Sequence, residues 1–105
     1  MFGAATTIAV AGQMTGYISD AACGWNNARA GNEAKECARK CVKAGWDPVF
    51  VQDGQMETLK VSDKAKVLPY VGAHVMVVGE VKGGTLYLKT IRTSVKRAEA
   101  TGGNR

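Results

Sequence analysis

The feature that most restricts this chain is a hairpin pattern in its C-terminal third. His74 to Val81 alternates in polarity, Gly83-Gly84 follows, and Thr85 to Ile91 returns. Paired glycines between two alternating segments specify a tight turn, so these residues are read as adjacent antiparallel strands. Alternation puts Val75, Val77, Gly79 and Val81 on one face and His74, Met76, Val78 and Glu80 on the other. On the return, Leu86 and Leu88 oppose Tyr87, Lys89 and Ile91. Met76, Val78, Tyr87 and Ile91 are therefore expected to form a second apolar surface. Either a helix or the N-terminal segment packs over it, or it is an exposed ligand or subunit contact.

The same punctuation recurs upstream. Val49 to Gln52 reads as a strand, Asp53-Gly54 as a hairpin turn and Met56 to Val61 as its returning partner. Gln13 to Ser19 has strand character, with Gly16 marking a bulge or sharp bend. Asp20 opens a polar loop holding Cys23, Gly24, Trp25, Asn26, Asn27 and Gly31. Asn32 is the expected cap of a helix that runs to Ala44 and stops at Gly45, with Glu33 and Glu36 early and Lys43 late, as the helix dipole favours. Ala34, Cys37, Ala38, Cys41 and Val42 lie on one stripe, so both helical cysteines should face the protein. Lys35, Arg39, Lys40 and Lys43 should then face water. Trp46-Asp47-Pro48 is a turn, and Ser62 or Asp63 caps a helical turn through Lys66 that ends near Pro69.

At 105 residues the chain has room for one core. The barrel domain is expected over 12–92, followed by a basic, flexible tail over 93–105. Hydrophobic and charged fractions of 46% and 22% are those of an ordinary globular domain. No apolar run approaches the roughly 20 residues of a membrane-spanning helix. Fourteen Lys and Arg against nine Asp and Glu give a net charge of +5, but the cations are scattered over the helix and the tail rather than clustered. Residues 1–11 are apolar and uncharged, and Ala9-Val10-Ala11 before Gly12 has the small-x-small form of a signal-peptidase site. They read as an export-signal remnant, a weak complete signal or a first strand.

Five short strands, one helix inserted early, a short helical turn and a closing β-hairpin define a mainly β fold, a small partly open barrel of the OB-fold class. Gly16-Tyr17-Ile18-Ser19-Asp20, Cys23-Gly24, Cys37-x-x-x-Cys41-Val42-Lys43 and Gly45, together with the hairpin from Val71 to Ile91, resemble a family of small exported bacterial OB-fold-like proteins of unknown function. The resemblance spans roughly residues 12–91 and implies a periplasmic or extracellular bacterial protein. In that family a histidine often follows the Cys-Gly pair; here Trp25, Asn26 and Asn27 stand there. No activity follows from the resemblance.

The three cysteines have several readings. Cys37 and Cys41, one helical turn apart, have Cβ atoms about 5–6 Å apart, beyond the roughly 3.5–4.5 Å of a relaxed disulfide. A bridge from Cys23 to one of them closes a loop of about 15–20 residues, worth roughly 3 kcal/mol. The third sulfur is then a buried small hydrophobe, an interchain bridge or a reactive thiol. The metal reading gathers Cys23, Cys37 and Cys41, with the single His74, into a Cys₃His site, although no Cys-x-x-Cys pair is present.

No enzyme constellation is found. His74 opens an apolar strand, and Asp20, Asp47, Asp53 and Asp63 stand where short polar side chains bond turn backbone. An OB-like barrel binds single-stranded nucleic acid through aromatic and basic residues of its middle strands, which here offer only Phe50 and Lys60. The expectation is a non-enzymatic, exported, disulfide-stapled barrel without a cofactor, binding a protein partner, itself included, or a small ligand. Its candidate surface is Met76, Val78, Tyr87 and Ile91 with the Trp25 and Trp46 loops. Metal binding through the cysteines and single-stranded nucleic-acid binding are the alternatives.

Overall fold

The computed structural model describes residues 12–94. The expectations for residues 1–11 and for residues 95–105 of the tail lie outside the described residues, whereas Thr93 and Ser94, expected to begin the tail, are held in place: Thr93 pairs with Val75 and Ser94 N donates to His74 O at 3.0 Å. Five strands close into one barrel: β1 (Gly12–Asp20), β2 (Pro48–Gln52), β3 (Leu59–Val61), β4 (His74–Lys82) and β5 (Thr85–Thr93). Their order around the barrel is β1-β2-β3-β5-β4, with β4 returning to β1. Among the described strands, only β3 and β5 run parallel, Val61 opposite Leu86; a single parallel bridge, Ile18 with Val71, lies outside these pairings. This mixed five-stranded closure is consistent with an OB-like fold. Helix α1 (Asn32–Lys43) is inserted between β1 and β2, while the short α2 (Lys64–Val67) and a 3-10 turn (Leu68–Tyr70) join β3 to β4.

Alternation along the strands makes the core. Ile18, Phe50, Leu59, Val61, Val75, Val77 and Leu86 point inward, joined by Ala38 of α1 and by Val67 and Val71. β1 is shared: Gly12 to Tyr17 pair with β4, and Gly16 to Asp20 pair with β2. At the overlap a Cβ on Gly16 would stand 2.2 Å from the Val51 carbonyl oxygen. Register runs unbroken through Gly16 on both sides, so close backbone approach, and not the expected bulge, is what excludes a side chain there.

The β4–β5 hairpin has the expected turn, with Gly83 and Gly84 at φ 57° and 80°. One irregularity was not legible. Val78 faces Thr90 but Gly79 faces Leu88, so Lys89 is an extra residue on β5. The bulge reverses inward and outward beyond it: Leu88 and Ile91 both pack against the core. Ile91 therefore does not join Met76, Val78 and Tyr87 on the outer face.

The other expected hairpin is also corrected. Asp53-Gly54 does form a turn, but pairing resumes only at Leu59 opposite Phe50, leaving 53–58 as a connection and Met56 exposed. Asp53 is held elsewhere. Its backbone N donates to Thr15 O at 2.9 Å, and its carboxylate accepts from Thr15 Oγ1 and meets His74 Nε2, both at 2.8 Å. Those bonds tie the residue to β1 and β4 and carry the chain away from a two-residue loop. The cap of α1 is likewise Gly31 at φ 117°, with Asn32 the first helical residue; Asp63 caps α2 as expected, accepting from Lys66 N.

Candidate functional site

The insertion between β1 and β2 gathers all three cysteines. Cys23 follows β1 at the start of a 3-10 turn (Gly24–Asn27), and Cys37 and Cys41 stand on successive turns of α1. Ala34 and Ala38 are fully buried, and these small side chains let the helix lie close against the barrel. All three Sγ atoms lie within 4.8 Å of one another, and none is bonded to another. Cys23 and Cys41 are partly buried and Cys37 is exposed, but its Sγ lies within 4.8 Å of that of Cys23 in the turn, so both helical cysteines direct their sulfurs to the same side of α1.

A buried carboxylate organises this loop. Asp20 ends β1 with no exposed surface; one of its oxygens accepts from Cys23 N at 2.8 Å and the other from Asn27 Nδ2 at 2.9 Å. Ser19 Oγ donates to Gly24 O at 2.7 Å. The turn is thereby strapped down over the outer face of β1 and β2, where Val49 and Val51 are buried although they point away from the barrel interior. Burial, and after it the neighbouring Asp20 carboxylate, push the Cys41 thiol up to about 11, and the same two causes raise Cys23. Thiols so placed hold their protons at neutral pH, the opposite of the electropositive setting that activates a nucleophilic cysteine.

His74 is not part of this cluster. Its Nδ1 lies 2.8 Å from Ser94 Oγ and its Nε2 2.8 Å from Asp53 Oδ2, with the Tyr17 ring edge-on at 4.9 Å. With both ring nitrogens engaged at the rim, the expected fourth ligand is occupied elsewhere, and a Cys₃His site is reduced to Cys₃. The importance of Asp20 escaped the sequence reading, which placed it among turn carboxylates. Its spacing from Cys23 and Asn27 was the available signal.

The residues expected to make one binding surface are separated. Tyr87 lies opposite Glu80, and Met76 lies opposite Arg92, four residues further along β4, or about 13 Å. Gln13 Nε2 and Arg92 Nη2 contact the Met76 sulfur at 3.0 and 3.2 Å, so polar groups flank it. Trp25 and Trp46, both half exposed, belong to the segments that carry the cysteines: Trp25 is in the 3-10 turn after Cys23, and the backbone N of Trp46 donates to Cys41 O at 3.1 Å. That end of β1 pairs with β2, whereas Val78 pairs with Gln13, seven residues before Asp20 and about 23 Å from it along the strand. No protein-family model matches the chain, and no curated protein or solved structure matches it.

Proposed function

We propose that this protein is a small thiol-based metal-binding module, an OB-like barrel whose β1–β2 insertion holds one thiophilic ion on Cys23, Cys37 and Cys41. The convergence of the three Sγ atoms within 4.8 Å carries the reading. Zinc–sulfur bonds of about 2.3 Å in tetrahedral geometry separate the sulfurs by about 3.8 Å, so closure on an ion needs inward shifts of about 1 Å or less. Thiolate ligands select soft or borderline ions, and three of them leave the remaining position to an external ligand. Asp20 supports the reading by fixing the peptide N–H of Cys23 and, through Asn27, the turn that carries it. Burial of Val49 and Val51 argues against single-stranded nucleic acid on the usual OB face, and the separation of Tyr87, Met76 and the tryptophans argues against one broad contact surface. The likeness to small exported bacterial proteins adds a rival at the same atoms, since an oxidising compartment favours a bridge from Cys23 to Cys37 or Cys41.

Titration of reduced protein with Co(II) under anaerobic conditions tests the proposal. One equivalent should produce thiolate-to-cobalt charge-transfer absorption, removed by zinc and lost in Cys23→Ser and Cys41→Ser. Three thiols should react with a thiol reagent before zinc is added and be protected afterwards. Absence of the charge-transfer band with three unprotected thiols, or isolation of the protein with one bridge, one free thiol and no metal, would sink the reading.

A further inference from the structure

A second feature of α1 is independent of the thiols. Where the last turns of the helix meet the 3-10 turn after α2, an open groove of about 600 Å³ runs between the two elements. Its floor is aliphatic, made by Val42, Leu68 and Val71, and Leu68 keeps 48% of its surface exposed. Arg39, Lys40 and Lys43 form the rim, with Glu36 the single carboxylate. Among the described residues none of these four makes an ion pair. Arg39 is held in place, its Nε donating to Val71 O at 3.3 Å, so its guanidinium is presented at the groove with less freedom to lose on binding.

We propose that this groove docks an acidic segment of a partner protein, one that places an aliphatic side chain on Leu68 and Val42 and carboxylates against Arg39, Lys40 and Lys43. Charge decides the sign of the partner, since three cations face one anion. Shape and chemistry decide its class. Among the described residues that line it, none offers an aromatic ring on which a nucleic-acid base could stack. An apolar surface set between two helical elements receives a protruding side chain; a lipid surface is met by apolar groups that project. The mode is that of an amphipathic acidic peptide lying along a groove, with rim charges that set selectivity and on-rate.

Fluorescence anisotropy with a labelled amphipathic peptide of glutamate and leucine tests this. The full chain should bind it, bind a lysine-and-leucine counterpart at least about tenfold more weakly, and lose affinity as salt rises. Lys40→Glu combined with Lys43→Glu should weaken binding by about tenfold or more, and Leu68→Ser should weaken it without altering its salt dependence. Cys37→Ser should leave binding unchanged, separating this outcome from failure of the metal reading. The peptide-charge and salt comparisons use the unaltered protein, so a variant that fails to fold does not remove the test. Equal binding of the two peptides, no binding at low salt, or binding to phosphatidylglycerol vesicles in place of the acidic peptide would each overturn the proposal.

Discussion

Replacing Asp20 with asparagine removes a charge and changes almost nothing in shape, which makes it a direct probe of the cysteine-bearing loop. Asp20 is fully buried and receives two donors, Cys23 N at 2.8 Å and Asn27 Nδ2 at 2.9 Å. An amide offers one oxygen, so its own NH2 must face one of those donors. Loss of one charge-assisted bond, with a buried donor left unpaired, costs roughly 3–4 kcal/mol, partly offset by the easier burial of a neutral group. A net destabilisation of about 2 kcal/mol follows, which for a domain of this size lowers the melting temperature by roughly 8–16 °C. The variant should also titrate Cys41 below its value of about 11, because Asp20 is one of the causes that raise it. Urea unfolding measures the first effect, and ultraviolet absorbance of the thiolate against pH measures the second. A variant as stable as the parent, with an unmoved thiol titration, would refute the role given to Asp20.

Alkaline pH is a second probe. The metal-free, reduced protein should lose stability as pH rises from about 9 to about 11, because Cys41 is raised from 9.0 to about 11 and its unfolded counterpart ionises first. Tyr17, raised by burial and then by Asp53, acts in the same direction above its ordinary value of 10.0. Unfolding midpoints that stay level across this range would contradict the assignment. Gly16→Ala should cost about 3 kcal/mol or more, since its Cβ would stand 2.2 Å from Val51 O, and chemical denaturation of the variant checks it. His74→Ala should cost about 1 kcal/mol and speed amide hydrogen exchange at Asp53, whose side chain it holds at 2.8 Å; unchanged exchange would mean that the ring does not anchor that loop.

What the sequence disclosed tracks how local each determinant is. The Gly83-Gly84 hairpin, the Asp63 cap and the end of α1 at Gly45 were legible because each depends on neighbours within a few residues. The Lys89 bulge was not, because alternation presumes equal residue counts in both strands, and one extra residue moved Ile91 from the outer face to the core. Asp53 looked like half of a favoured turn, yet its partners Thr15 and His74 come from other strands. Helical periodicity put Cys37 and Cys41 on one side of α1. Nothing in the spacing placed Cys23 within reach of both, because that depends on how Asp20 folds the intervening loop.

The division of β1 between two neighbours gives the barrel a seam. Its Ser19 end pairs with Val49, 30 positions on, while its Gln13 end pairs with Val78, 65 positions on. Loop-closure entropy makes the nearer pairing the easier to form, so β1 can be anchored to β2 before its first half meets β4. By loop length alone, the bonds between Gly12–Tyr17 and β4 close after those to β2. Opening there and disruption of the thiol loop are therefore separable failures of the same strand.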